Sequence, residues 1–343
     1  MKKYQILLFL LFLIFLDLSC SRHKSESKSN RAANNIEKIK ETTLKNTLEF
    51  EKNRENFQVE IFSSYEGLLS DDIKDLKLDK DALWVCCGNG ITYIDKTTGK
   101  IINFAYTNNT NINFSSIILD DGFIYLSSDY GVYGFNKENK DFFAIVTNVK
   151  VVPNLIKYKG GFIYGNNEGK FYIYEENSLR NITSISERIL LIKEFDNEIF
   201  ILSEKNIYKI NPKMCEYIKV LSYSNINVKD FCIVNNNIYL ANSNLIHYSP
   251  EKITFTKTLK FSRDVYITFL LYSKEKGGLY IGTSNGLGFY NEDTKEYHFL
   301  LTQHKVKEAY INCIEEDNNV LWVGTKEFGL IKYKMFPSKL VYK

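Results

Sequence analysis

From about residue 57 onward the chain is a succession of short runs in which apolar and polar residues alternate. The runs are rich in Ile, Val, Tyr and Phe, and clusters of Asn, Asp, Gly and Ser separate them. That pattern predicts short strands joined by tight turns. One phrase recurs along it: "LWVCCGNGITYID" at 83, "FIYLSSDYGVYGFN" at 123, "FIYGNNEGKFYIY" at 162, "IFILSEKNIYKIN" at 199, "IYLANSNLIHYS" at 238, "LYIGTSNGLGFY" at 279 and "LWVGTKEFGLIKY" at 321. Aligning one large residue of each copy, Trp84, Ile124, Ile163, Phe200, Tyr239, Tyr280 and Trp322, gives spacings of 40, 39, 37, 39, 41 and 42 residues. Seven units of near-constant length indicate a repeat architecture.

Within the first unit the pattern predicts strands at residues 73–78, 83–87, 91–95 and 101–106, with turns at Asp79-Lys-Asp, Gly88-Asn-Gly90 and Lys96-Thr-Thr-Gly99. Four antiparallel strands per unit and seven units specify an all-β fold, a seven-bladed β-propeller. Helical repeats of similar period need apolar positions three and four apart, and these are absent. Leu and the aromatic residue after it should point to opposite faces of a blade, so that both faces bury. Gly282 and Gly324 should let an adjacent backbone or ring come close. Gly90, Gly131, Gly169, Gly286 and Gly329 should supply a positive φ in the following hairpin. The last unit offers only three strands before Pro337, which cannot donate to a ladder. Residues 58–63, "QVEIFS", alternate and have no partner in their own unit. They are expected to close the ring as the outermost strand of the seventh blade, beside residues 330–333.

The first 56 residues follow a different pattern. Met1-Lys2-Lys3 precedes an apolar run from Ile6 to Leu16, too short to span a bilayer and typical of a secretion signal. Leu16-Asp17-Leu18-Ser19-Cys20 then resembles the lipobox of bacterial lipoproteins, with Asp17 a departure from its aliphatic preference. The resemblance implies cleavage before Cys20 and lipidation of its thiol. Residues 1–19 are therefore expected to be a signal peptide, 20–56 a lipidated tether with partly helical spacing between Asn34 and Arg54, and 57–343 the propeller. A flexible tether of that length reaches on the order of 35 Å.

Charge separates the two parts. The whole chain carries 44 Lys and Arg against 41 Asp and Glu, yet residues 57–343 hold 33 against 34. The basic balance belongs to the leader and the tether, and a near-neutral body gives no case for nucleic acid.

Candidate chemistry is sparse. His23, His247, His298 and His304 show no metal-ligand spacing. With Cys20 set aside, Cys86, Cys87, Cys215, Cys232 and Cys313 remain, an odd number that leaves a free thiol. They read as small buried apolar residues. Asp120-Asp121-Gly122 and Glu315-Glu316-Asp317 lack the spaced ligands of a calcium loop and read as turn formers. No nucleophile elbow or phosphate loop is present. No catalytic, metal or cofactor site is therefore expected.

Residues 67–101, "GLLSDDIKDLKLDKDALWVCCGNGITYIDKTTGKI", resemble the propeller repeat of the sensor domains of hybrid two-component regulators, as does the unit containing "LWVGTKEFGLIKY". That resemblance implies fold far more than function. The chain shows no span, kinase or DNA-binding segment after the repeats, so signal relay by this chain alone is not expected. A lipoprotein signal, a tether and one propeller are also similar in plan to the propeller lipoprotein of the outer-membrane β-barrel assembly (BAM) machinery. The chain departs from that family in having seven units where it has eight, and in lacking its quinone-enzyme-like repeat signature.

The resemblance implies a non-enzymatic interaction scaffold in the bacterial envelope, with envelope proteins, a barrel-assembly complex among them, as partners. Ser21 after Cys20 is not the aspartate that in some bacteria retains lipoproteins at the inner membrane, which favours the outer membrane; its periplasmic side is expected over the cell surface. The alternative is a ligand-sensing propeller that binds carbohydrate or peptide, and a third reading is an envelope lyase or hydrolase.

Overall fold

The computed structural model describes residues 57–107, 112–151, 154–224, 226–262, 264–300 and 307–335. The signal, the tether and Cys20 lie outside the described residues. The described strands form seven four-stranded antiparallel sheets, a seven-bladed β-propeller. Blades 1 to 6 occupy residues 73–105, 114–147, 156–184, 189–222, 230–260 and 267–299. Blade 7 occupies residues 311–335 and takes its fourth strand from Phe57–Phe62. In blade 1 the strands are Ile73–Leu78, Ala82–Cys87, Gly90–Asp95 and Ile101–Ala105, within one residue of the pattern's prediction.

Each strand reverses the last, which gives the ring two distinct ends. Connections between blades and the turns from second to third strand lie at one, called here the loop end. Turns from first to second and from third to fourth strand lie at the other, the turn end.

Both faces of a blade are buried, and the phrase shows why. Leu83 packs with Cys313, Trp322 and Leu330 of blade 7, while Trp84 packs with Ile117, Ile124 and Phe135 of blade 2. The side-chain period of two sends adjacent residues to opposite neighbours. The same rule corrects the alignment in blade 2. Ile124 faces back to blade 1, whereas Tyr125 faces forward to Phe162 of blade 3. Tyr125, and not Ile124, is the counterpart of Trp84, since a slip of one residue exchanges the faces.

The glycines divide by cause. Gly131, Gly169, Gly286 and Gly329 have positive φ as expected. Gly90 does not. It is constrained by space, because a Cβ there would meet the Leu69 side chain at 2.8 Å and the Phe104 carbonyl closer still. At Gly282 and Gly324 the close neighbour is neither a backbone nor a ring. At Gly282 it is Ile311 of the next blade, 2.7 Å from where a Cβ would stand; at Gly324 it is the Cys313 thiol of its own blade, with Ile73 of the next blade also at 2.7 Å. The Thr after each of these glycines clamps the turn. Thr283 donates to the Gly286 carbonyl and accepts from the Asn285 amide, and Thr325 does the same with Gly329 and Phe328. Ser128 and Ser203 serve blades 2 and 4 in this way.

Closure follows the sequence prediction. Phe57–Phe62 lies against Leu330–Met335 as the outermost strand of blade 7. Lys332 pairs with Glu60 at 2.9 Å, and Phe62 lies 6.2 Å from the Trp322 ring. The loop that follows is tied down as well: Ser64 donates to Asp71 through its amide and hydroxyl, and the Gly329 amide donates to the Asp71 carbonyl. Removing residues 57–63 should lower the melting temperature of the whole ring, since it opens blade 7 and uncovers Trp322; an unchanged melting curve would refute this closure. Gly324→Ala should cost about 1–3 kcal/mol in denaturant unfolding, because both the Cys313 thiol and Ile73, at the seam between blades 7 and 1, must give way.

Candidate functional site

The first strands surround the central channel, and their side chains tie each blade to the next. At Lys193 on blade 4 this produces a charged hub. Its ammonium group lies 2.6 Å from Asp230 of blade 5, and donates to the carbonyls of Phe231 at 3.3 Å and Leu270 at 3.2 Å. It also sits 4.9 Å from the centre of the Phe269 ring. Asp230, with a side chain only 3% exposed, accepts the amides of Phe231 and of Leu270 in blade 6, both at 2.7 Å. Three blades thus meet on one ion pair. Burial pushes the Asp230 carboxyl up, against the pull of Lys193 and of the two amides.

A second group repeats the device between blades 7, 1 and 2. Asp75 accepts the amides of Leu76 and of Ile117 in blade 2. Lys77 reaches Asp75 at 3.8 Å and is hydrogen-bonded to Glu315 of blade 7. Burial disfavours its charge, but Asp75 and Glu315 together hold Lys77 above the ordinary lysine range. Thr268 and Asn312, each set in a register break of its first strand, donate to the carbonyls of Ile311 and Ile73 in the following blade. Chemically these are staples. Each Lys193 proton and each Asp230 oxygen already has a partner, so neither is poised for proton transfer to a substrate.

The loop end has a different surface. Among the described residues of its loops, the exposed large side chains are tyrosines: Tyr65 at 96%, with Tyr130 and Tyr266. Tyr266 meets the Tyr310 ring edge-on at 6.1 Å, and Lys326 lies 5.6 Å from the same ring. Three loops from blades 5 to 7 supply this group. Burial, with Tyr266 beside it, pushes the Tyr310 hydroxyl up to about 12, so it stays a neutral donor and acceptor at physiological pH. Flat rings with polar edges on rigidly held loops are suited to stacking on a sugar or peptide.

The residues singled out by sequence are dispersed. His23 and His304 lie outside the described residues, as does Cys20. His247 is in the third strand of blade 5, hydrogen-bonded to Asn237 and packed on Tyr239. His298 is in the outermost strand of blade 6, 3.7 Å from Glu296. Cys86, Cys87, Cys232 and Cys313 are buried free thiols, and Cys215 is exposed. Burial pushes the Cys87 and Cys232 thiols up to about 12 and raises those of Cys86 and Cys313 well above the ordinary thiol value, out of the range of nucleophiles. The acidic turns do more than turn: Asp120 pairs with Lys157, Glu315 with Lys77 and Asp317 with Lys96, while Glu316 accepts from Tyr280, each across a blade boundary. Among the described residues no cluster of three or more His, Cys, Asp or Glu is gathered for a metal.

Sequence reading missed the Lys193–Asp230 hub, although a signal for it exists. Lys74-Asp75-Leu76 and Lys229-Asp230-Phe231 both read Lys-Asp followed by a large apolar residue, at the same place in blades 1 and 5. An acid recurring inside an otherwise apolar inner strand marks a buried acceptor.

No family model matches the chain, and no curated protein matches it in sequence. Solved structures do. The extracellular domain of a one-component system from B. thetaiotaomicron superposes with a TM-score of 0.64 at 18% identity, over 81% of this chain and 39% of that one. The extracellular domain of a hybrid two-component system from the same organism gives 0.63 at 16% identity, over 81% and 42%. Virginiamycin B lyase from Staphylococcus aureus gives 0.65 at 10% identity, over 82% of this chain and all of that one. The chain thus spans about two fifths of the two sensor-system domains. Similarity at this identity establishes the propeller fold, which sensor modules and an enzyme share.

The hub makes a pH-resolved prediction. Lys193→Met should cost about 3–5 kcal/mol at neutral pH, because it strands a buried carboxylate. Asp230 then has a folded-state pKa raised above its unfolded value, so the folded state binds the extra proton and stability falls as pH rises. The deficit relative to wild type should therefore shrink as pH is lowered towards 5; a deficit independent of pH would remove Asp230 as its cause.

Proposed function

We propose that this chain is a lipid-anchored envelope protein whose propeller is a rigid, non-enzymatic binding platform, with the loop end as its binding face. The observation that carries the reading is a contrast within the ring. The Lys193, Asp230, Lys77 and Glu315 charges of the channel hold blades together, whereas the loop end exposes Tyr65, Tyr130 and Tyr266 to solvent. The apolar run before Cys20 and the tether after it supply the address. Envelope proteins are the expected partners, a subunit of the barrel-assembly complex being the finer reading. The Tyr266, Tyr310 and Lys326 group favours a second reading, in which the same face senses a sugar or peptide.

Co-purification from crosslinked membranes separates the two. A barrel-assembly subunit recovered with the wild type and lost with Tyr65→Ala/Tyr266→Ala supports the scaffold. A bound sugar or peptide without a stable protein partner supports the sensor. The double variant should keep the wild-type melting temperature within a degree or two, since neither ring supports the core. Cys20→Ala should abolish labelling by a clickable fatty acid and release the chain from membranes. If the variant is still labelled and membrane-bound, the anchor is elsewhere.

A further inference from the structure

The outer rim of the ring is not uniform. In every blade from 1 to 6, one position of the outermost strand stands opposite the fifth residue of the third strand and is large and apolar. In blades 1, 2 and 6 it is Ile101, Phe142 and Tyr297, and each packs onto a core cluster. In blades 3, 4 and 5 it is Leu179, Tyr217 and Phe255, opposite Tyr174, Ile210 and Tyr248, and all three are exposed. These strands leave the turn end, and the turns before two of them carry further apolar residues. Met214 in blade 4 is 63% exposed and Ile253 in blade 5 is 79% exposed. An apolar rim thus runs along three consecutive blades at the turn end of the ring. Burying such side chains is favourable, so leaving this set in water needs a reason.

Chain direction supplies one. Phe57–Phe62 ends at the loop that leads into blade 1, so its first residue is at the turn end. The chain therefore enters the ring, at residue 57, at the end that bears the apolar rim. Lys213 adjoins Met214, Lys252 adjoins Ile253, and Lys219 and Lys257 follow on the same strands. Lysines next to aliphatic tips, with Tyr and Phe one step further in, form the composition of an interfacial surface: apolar groups enter the acyl boundary while ammonium groups reach headgroups.

We propose that this rim seats the propeller on the bilayer, turn end down, and so presents the loop end to the periplasm. The inference rests on the anchored reading above. It also goes beyond it, because a tether alone would leave the ring free to take any orientation.

Cys215 lies beside Met214, and the other described cysteines are buried, so an environment-sensitive fluorophore can be placed there. The lipidated full chain is reconstituted in phosphatidylethanolamine and phosphatidylglycerol vesicles that contain a spin-labelled quencher lipid. The label at Cys215 should be quenched. A label on Tyr65→Cys in a Cys215→Ser background should not. Met214→Glu/Ile253→Glu should abolish quenching at Cys215 while the chain still floats with the vesicles. A floating wild-type chain whose Cys215 label is quenched no more than the Tyr65→Cys label overturns the docking and leaves the anchor standing. Protection of the Cys215 label without vesicles, rising with protein concentration, also overturns it and points to a second copy on the rim. Unlipidated Cys20→Ala chain should still be quenched at Cys215, but only at about 100-fold more lipid. Equal quenching with and without Cys20 would instead sink the anchored reading and keep the docking surface.

Discussion

A blade cannot stand alone. Its sheet is apolar on both faces, so every blade needs a neighbour on each side, and a row of such sheets is satisfied only when the last meets the first. This constraint accounts for most of the sequence. It explains why Leu83 and Trp84, one residue apart, belong to different interfaces, and why the pair recurs through the chain. It also explains the tight tolerance at Gly282 and Gly324, where an isoleucine of the next blade fills the space a side chain would need. The charged groups obey the same demand. Asp230 and Asp75 each accept an amide from the blade that follows, and the acids near residues 315–317 pair across the seam. Polar and apolar contacts thus do one job, which is to make neighbouring sheets indispensable to each other.

The fold was legible in the sequence because a repeat states its rule several times. Period, turn residues and alternation each pointed to the same blades, and the unpaired "QVEIFS" pointed to the closure. Errors arose where one copy was read without its partners. In blade 2 the aligned residue was one step off, since Ile124 and Tyr125 are both large and only the neighbour they face distinguishes them. At Gly90 the sequence showed a turn glycine, but the constraint comes from Leu69 and Phe104, distant in the chain. Asp120 and Glu316 looked like turn residues because their partners, Lys157 and Tyr280, belong to other blades.

The surface was much less legible. Little distinguishes Phe255 from Phe142 locally: each lies at the start of an outer strand, opposite the fifth residue of the strand before it. One is exposed and the other is covered by the body of its blade, a difference set by packing across several strands. Function on a propeller lives at such places, on rim and loops, where the repeat no longer dictates the residue. That is why fold and surface, read from the same letters, give such different returns.

The seam has a kinetic meaning as well. Glu60 and Lys332 are 272 residues apart in the chain yet sit in one sheet. The first strand of the ring to leave the ribosome must therefore wait for nearly all the rest before it has anything to pair with. Bringing such distant ends together carries the largest loop-closure cost in the molecule, and folds dominated by such pairings form slowly. Six blades can assemble in order as they emerge, each on the one before. The seventh is a lock that only the finished chain can turn, and until then two apolar faces stay open to any other strand nearby.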